Sequence, residues 1–222
     1  MKILDIPQSG KRGVNVSQQG HNGQISRALA IPSNPRTRAQ LLVRNHMASV
    51  AASWRTLSQD ERDAWTAAAT QVKSRSRLGQ SGTLSGFQLF GRINCSLLAI
   101  GGDMVTVPPD APAFDLLPVT ELAITNTAGV VTLKLTTTGT PADGSMLRGA
   151  PPVSQGRGRS PGMVFLGTLD APVNNAIDIS AAYKAKYGSP RAGSKVFVRV
   201  NQNINGWEDI PSQFSAIVPA AS

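Results

Sequence analysis

A chain of 222 residues can hold one or two domains and is long enough to bury a core. Its aromatic content of 5%, with 21 glycines and 15 prolines, favours small modules joined by irregular segments over one large enzyme core. The single cysteine excludes a disulfide within one chain. The start MKILDIPQSGKRG lacks the apolar core of a signal peptide, and no segment has the roughly 20 apolar residues of a membrane span. A soluble protein made in the cytoplasm is therefore expected.

The formal net charge of +9 is concentrated in the first half of the chain. Residues 1–107 contain 13 Lys and Arg against 5 Asp and Glu, whereas residues 108–222 contain 9 against 8. A basic region of this kind attracts nucleic acid or an acidic protein surface. A solvated basic face has the same composition, so both interpretations stay open at this point.

Residues 1–34 are predicted to form an extended arm. The stretch SGKRGVNVSQQGHNGQISR is rich in Gly, Gln, Ser and Asn and has neither helical nor strand periodicity. Such a segment cannot bury enough apolar surface to fold alone. We therefore expect either a disordered tail or an arm that becomes ordered against a partner. Lys11 and Arg12 are candidate contacts to an anion or to nucleic acid.

Residues 35–101 are predicted to form a small module of three helices. In the first helix, Val43, Met47, Val50 and Trp54 recur at intervals of 4, 3 and 4 residues. This spacing makes one apolar stripe along a helix.

The second predicted helix begins at Ser58. Ser58 and Glu61 have the spacing of a capping box, in which each side chain accepts a backbone N–H that the first turn would otherwise leave unpaired. Trp65 continues the buried face. Three further candidate contacts to an anion or nucleic acid follow this helix: Lys73, Arg75 and Arg77.

The third predicted helix is marked by Phe90, Ile93, Leu97 and Ile100, at intervals of 3, 4 and 3 residues. Gly101 then supplies the expected C-terminal stop. Three short helices can close a small core. The residues predicted for that core are Trp54, Trp65, Phe90 and Leu97.

Residues 102–118 are predicted to be a Pro-rich linker, and residues 119–222 an antiparallel β-sandwich. The β-prone runs are TELAITN, VVTLKLTTT, MVFLGTL, KVFVRVNQN and SQFSAIV. Short runs separated by Gly, Pro, Asn and Asp are typical of a sandwich. The predicted fold class is therefore α+β. The loop GRGRSPG between two of these runs places Arg157 and Arg159 as candidate anion contacts, although a flexible basic loop has the same sequence.

The C-terminal region resembles a fibronectin type III domain. The matching residues are VVTLKLTTTG at 130–139 and GSKVFVRVNQNINGWEDIPSQFSAIV at 193–218, which is similar to the family's last two strands. The tryptophan expected in an early strand is absent, and Trp207 is instead predicted to lie in a late loop. The resemblance implies a binding or spacer module rather than an active site.

The helical region resembles part of an HMG box. A tryptophan, a Leu-Ser turn, an acidic capping residue and a second aromatic recur here as Trp54, Leu57, Ser58, Glu61 and Trp65. The resemblance covers two helices and implies DNA bending through the minor groove. The family's first helix should precede this pair, but the candidate GFQLFGRINCSLL follows it, and the family's dense basic helix is missing.

The layout of the whole chain resembles that of structural proteins of tailed bacteriophages. The shared features are a Gly/Gln-rich arm, a small helical module and an immunoglobulin-like end domain. The resemblance implies a virion component, such as a capsid, decoration, neck or tail protein, made in the host cytoplasm. Its partners would be other virion proteins and copies of itself.

The sequence contains no recognisable catalytic, metal-binding or nucleotide-binding motif. His21, His46 and Cys95 do not have the spacing of metal ligands, and neither a P-loop nor a nucleophile elbow occurs. We therefore expect a non-enzymatic protein with no catalytic residues, no cofactor, no metal and no membrane partner. A nucleic-acid-binding protein that uses the HMG-box-like helices is the alternative.

Overall fold

A computed structural model describes residues 9–20, 23–31, 33–34, 36–74 and 82–221, and these residues form an α+β protein with four helices and several antiparallel sheets. The predicted fold class is confirmed at this level. The elements are β1 (Gly10–Arg12), β2 (Asn15–Gly20), β3 (Gly23–Ala28), α1 (Arg38–Thr56), α2 (Gln59–Thr70), α3 (Gly86–Ala99), β4 (Val119–Thr127), β5 (Val130–Thr137), β6 (Met146–Gly149), β7 (Val153–Ser154), β8 (Val164–Thr168), β9 (Ala176–Asp178), α4 (Ser180–Tyr187), β10 (Ser194–Asn201), β11 (Asn203–Ile204), β12 (Trp207–Glu208) and β13 (Ser212–Ile217). By their internal contacts, residues 1–42 and residues 43–222 form two compact units.

The first unit contains a three-stranded antiparallel sheet, β1–β2–β3, which we call the meander. Gly13, with a φ of +59°, begins the two-residue turn between β1 and β2, a position where hairpin turns favour glycine. Among the described side chains of these strands, only that of Gln24 is buried. The expectation of an extended arm without strands is therefore wrong for these residues, which form paired strands. The sequence has no strand periodicity here because neither face of the sheet is apolar.

Helix α1 begins at Arg38, three residues after the predicted start of the helical module. Thr37 precedes it and exchanges hydrogen bonds with Gln40, as a capping residue does. The predicted apolar stripe is buried only in its second half: Val50 is fully buried, whereas Val43 is exposed.

The antiparallel packing of α1 on α3 explains this difference. Trp54 contacts Phe87 near the start of α3, and the sulfur of Met47 lies 3.7 Å from that of Cys95 near its end. Val43 lies one turn before Met47 in the chain, outside the part of α1 over which these contacts occur.

Both of the following helices have capping boxes. The predicted pair at α2 is confirmed: Glu61 N donates to Ser58 Oγ, and Ser58 N donates to the Glu61 carboxylate. Helix α3 has the same arrangement between Ser85 and Gln88, which was not predicted. Gly101 follows α3 with a φ of +80°, as expected for a helix C-terminus.

The C-terminal strands form two larger antiparallel sheets. Their orders are β4–β5–β9 and β13–β10–β6–β8, with β7 also paired to β10. The five predicted runs coincide with β4, β5, β8, β10 and β13, whereas β6, β7, β9 and α4 were not predicted. Side chains from both sheets and from α4 meet in one buried cluster, which we call the strand cluster; it includes Leu133, Leu135, Val196, Val198 and Tyr183.

The pairing of β6 with the edge strand β8 contains a bulge. Leu147 pairs with Gly167 and Arg148 pairs with Phe165, so Leu166 is an extra residue on β8. Leu166 packs against the strand cluster.

Candidate functional site

The four residues predicted for the helical core lie in one buried cluster, which we call the helical cluster. Trp65 and Phe90 are fully buried, Leu97 is nearly so, and Trp54 packs on the edge of the cluster. The rings of Trp65 and Phe90 meet edge to face, with centroids 5.2 Å apart and an interplanar angle of 89°. This geometry adds to the gain from burial. Both tryptophans are therefore used for packing.

The Pro-rich segment of residues 102–118 is attached to the helices by hydrogen bonds. Trp65 Nε1 donates to the carbonyl oxygen of Thr106 over 2.6 Å. The side chain of Asn94, buried in α3, both donates to the Val105 carbonyl oxygen and accepts from its N–H, at 3.2 and 2.7 Å. These bonds satisfy buried polar groups that would otherwise destabilise the fold.

The hairpin β11–β12 packs on the helical cluster. Its turn is Asn205-Gly206, and both residues have positive φ, as a tight hairpin turn of this sequence requires. A Cβ on Gly206 would lie 2.6 Å from Ile93 Cγ2, so only glycine allows this approach. Trp207 lies in β12 rather than in a loop; its ring packs against the helical cluster and its Nε1 donates to the Pro109 carbonyl oxygen.

A polar seam accompanies this contact. Ser96 Oγ on α3 donates to a Glu208 carboxylate oxygen and accepts from Asn203 Nδ2, both over 2.9 Å. Arg148 on β6 lies 3.9 Å from the same carboxylate, which is an ion pair but too long for a hydrogen bond. No sequence rule links residue 96 to residues 203 and 208, so the seam was not predicted.

The basic candidate residues lie on separate elements. Lys11 and Arg12 are exposed on β1, and Lys73 is exposed in a short antiparallel bridge with Thr83 that follows α2. Arg157 and Arg159 are exposed in the loop between β7 and β8, where Arg157 Nε donates to the Arg159 carbonyl oxygen. Arg75 and Arg77 lie outside the described residues.

The titratable groups with shifted pKa values have structural explanations. Hydrogen bonds from the Ser58 backbone and side chain hold the pKa of Glu61 below its usual range. The bonds to Ser180 do the same for Asp178, and burial raises the pKa of Cys95. Within the described ranges, no group of His, Cys, Asp and Glu is arranged to hold a metal ion. No helix in those ranges has the length and apolar character needed to cross a bilayer.

Comparison with known proteins adds no assignment. No family model matches the chain, and no curated protein and no solved structure matches it at a significant level. What this region can do therefore follows from its own geometry: aromatic packing, a hydrogen-bonded seam and exposed basic side chains.

Proposed function

We propose that the chain is a non-enzymatic structural protein of a virion, working through contacts with other virion proteins and with copies of itself. The observation that carries this proposal is the exposed meander. Three strands need an apolar face or a packed helix to be stable alone. Neither face of the meander is apolar, since Gln24 is its only buried side chain among the described residues. Its strands are therefore expected to gain stability by packing against another subunit.

The exposed apolar side chains of the first unit support the same proposal. Its exposed large apolar side chains are Val14, Ile25, Ile31, Leu41 and Leu42. Apolar side chains that stay exposed on a small unit lose the free energy that burial would supply, about 25 cal/mol per Å². Contact with a neighbouring subunit recovers that free energy.

We further propose that α1–α3 form a three-helix module and that residues 119–221 form one fibronectin-like β-sandwich. The helical cluster supports the first assignment, because Val50, Trp65 and Phe90 come from three different helices. The strand order supports the second. In an immunoglobulin-like sandwich, strands A, B and E share one sheet and strands C, F and G the other. Here β4, β5 and β9 share one sheet, and β6, β10 and β13 share the other.

In this role the arm of residues 1–34, which contains the meander, contacts neighbouring subunits. The helical module docks the protein, and the sandwich projects outward or joins adjacent copies. The component would be a capsid, decoration, neck or tail protein. Many copies related by symmetry would multiply individually weak contacts.

Deletion of residues 1–33 tests the role of the arm. We expect the truncated protein to keep its fold, judged by circular dichroism and thermal melting, and to be lost from particles, judged by mass spectrometry of intact virions. The matched control is the full chain with Lys11→Ala and Arg12→Ala, which keeps the meander but removes two charges. Incorporation of the truncated protein at the wild-type level would contradict the proposal.

Nucleic-acid binding is the second candidate, and one observation favours it. Residues 9–57 contain seven Lys and Arg and no Asp or Glu. Such a stretch attracts phosphate backbones, and binding then weakens steeply with salt because counterions are released. Trp65 and Phe90 are fully buried, so neither can act as a minor-groove wedge of the kind that HMG boxes insert into DNA. A duplex-binding signal that stays flat between roughly 50 and 200 mM salt would exclude this candidate.

A further inference from the structure

Two highly exposed aliphatic side chains lie in segments that are both bonded to Gln202. Leu116 is 94% exposed and follows Asp115, and Ile210 is 84% exposed and follows Asp209. The buried Gln202 donates from Nε2 to the Asp115 carbonyl oxygen over 2.7 Å, and its own carbonyl oxygen accepts from Asp209 N over 3.1 Å. We call Asp115, Leu116, Asp209 and Ile210 the acidic patch.

The acidic patch has a definite chemistry. A single exposed aliphatic side chain is ordinary on a protein surface. Here two occur in segments fixed to one buried residue, and each has a carboxylate directly before it in sequence. The carboxylate of Asp209 is oriented by accepting from Ile210 N over 2.6 Å. A partner for this surface needs apolar area flanked by cations.

A groove of the opposite charge is formed by the end of α2, by α3 and by the Pro-rich segment. It contains an open cavity of about 490 Å³, and its apolar lining includes Pro108, Pro109 and Trp207. Lys73 and Arg92 also line it, and both are exposed. We call these five residues the basic groove.

The charges of the basic groove are available to a partner. Within the described part of the chain, the ammonium of Lys73 and the guanidinium of Arg92 make no hydrogen bond or ion pair. Arg92 also lines an adjoining cavity of about 390 Å³ together with Arg148. Asp110 is an opposing carboxylate in the groove, and Glu208 is one in the adjoining cavity. A continuous polyanion such as a nucleic-acid backbone would meet these two carboxylates, whereas a compact acidic and aliphatic surface need not.

We propose that the acidic patch of one copy docks into the basic groove of a second copy. Leu116 and Ile210 would cover the Trp207 and proline surface, while the two aspartates approach Lys73 and Arg92. The exposure of Leu116 and Ile210 shows that the acidic patch does not occupy the groove of its own copy.

The location of the two surfaces favours a reciprocal contact. Trp207 of the basic groove is two residues before Asp209 of the acidic patch, and Pro109 is six residues before Asp115. Surfaces this close in one chain can meet their counterparts across a two-fold axis, with each acidic patch entering the other copy's groove. The inference rests on the proposed function, in which self-contact is one of the required contacts, and it names the surfaces involved.

Charge reversal with purified full-length protein tests the contact. Sedimentation velocity over a concentration series should show that the wild-type chain forms a dimer. Asp115→Arg with Asp209→Arg should weaken self-association on the order of tenfold or more, because like charges then face each other. Lys73→Asp with Arg92→Asp should do the same.

Mixing the two reversed proteins gives the decisive result. In the mixed dimer, the reversed acidic patch of one copy meets the reversed basic groove of the other. The second contact joins a wild-type patch to a wild-type groove, so the charges are complementary in both contacts. The equimolar mixture should therefore recover association at the wild-type level. Asp143→Arg with Asp170→Arg, two exposed aspartates outside the acidic patch, produces the same change in net charge and should leave association unchanged.

Three outcomes would overturn the contact: a wild-type chain that stays monomeric at all concentrations, reversed proteins that associate as the wild type does, or a mixture that fails to recover association. Leu116→Ser supplies an independent check, because this exposed side chain can be replaced without loss of the fold, and its loss should weaken the dimer. If the wild-type chain is monomeric but its truncated form, without residues 1–33, is still lost from particles, only this contact between copies is contradicted. A dimer whose truncated form enters particles normally would instead remove the role proposed for the arm.

Discussion

The meander and the sheet around β10 use the same antiparallel hydrogen bonding but differ in burial. In β10, Val196, Val198 and Val200 are fully buried, and β13 and β6 pair on its two sides. In the meander, β2 also has a strand on each side, yet none of its described side chains is buried. Backbone pairing therefore does not by itself make a core. The sheet around β10 is stabilised by what its side chains contact, whereas the described side chains of the meander have almost no such contacts.

The largest expected effect comes from one truncation in each region. Leu133 is fully buried in the strand cluster, and Ile25 on β3 is 43% exposed. Leu133→Ala should lower the free energy of unfolding by about 2–5 kcal/mol, through lost burial and the cavity left behind. Ile25→Ala should change it by no more than about 0.5 kcal/mol, as at most surface positions. Urea denaturation of both variants measures the contrast, and equal losses would remove the distinction between the two sheets.

A smaller effect tests whether the helices belong to the same cooperative structure as the buried sheets. Gly206→Ala introduces a Cβ that meets Ile93 on α3, at a residue with a φ of +85°. Gly129→Ala has a similar φ of +82° but open space around the new Cβ. We expect losses of roughly 2–4 kcal/mol for Gly206→Ala and about 1 kcal/mol for Gly129→Ala, since only the first adds a clash to the backbone strain.

The shape of the thermal transition completes this test. If the hairpin joins the helical cluster to the strands, Gly206→Ala should lower a single melting transition followed by circular dichroism and by tryptophan fluorescence. Two separated transitions in the wild type would show that the helices and the sheets unfold independently.

The smallest expected effect concerns Tyr183 in the strand cluster. Its hydroxyl donates to the Ala150 carbonyl oxygen over 2.8 Å, so Tyr183→Phe should cost about 1 kcal/mol at neutral pH. Burial raises the pKa of Tyr183 above its ordinary value near 10. Above about pH 10, the unfolded chain loses the Tyr183 proton while the folded state keeps it. The contribution of the protonated Tyr183 hydroxyl to stability is therefore complete below about pH 10 and declines as the pH rises above it.

Denaturation at a series of alkaline pH values measures this dependence. The wild type should lose stability more steeply than Tyr183→Phe between about pH 9 and 11. Ile25→Ala serves as the control, because it should follow the wild-type curve. Parallel curves for the wild type and Tyr183→Phe would contradict the assignment of the alkaline loss to this side chain.

The sequence was informative where local spacing and burial coincide. The capping box at Ser58 and the five predicted strand runs depend on residues close together in the chain, and the structure has them in place. Helix α4 was missed because it is short and Ile179 gives it no side-chain cap. The meander was missed because its strands have no apolar face.

In the candidate site too, residues marked by local spacing were predicted, whereas contacts between distant parts of the chain were not. Phe90 and Leu97 follow from helical periodicity, and the structure places both in the helical cluster. The packing of Trp207 on α3 and the bond between Ser96 and Glu208 join residues more than 100 positions apart, and no spacing rule indicates such pairs. The acidic patch likewise depends on Gln202, which connects segments far apart in the sequence.

The extra residue Leu166 in the edge strand β8 has a consequence for solubility at high concentration. Unpaired N–H and C=O groups along a sheet edge can recruit another strand, and repeated recruitment leads to aggregation. A bulge interrupts the regular row of these groups and increases the local twist, so β8 is a poor template for a further strand. Copies of the chain at high concentration are therefore not expected to grow fibrils from this edge.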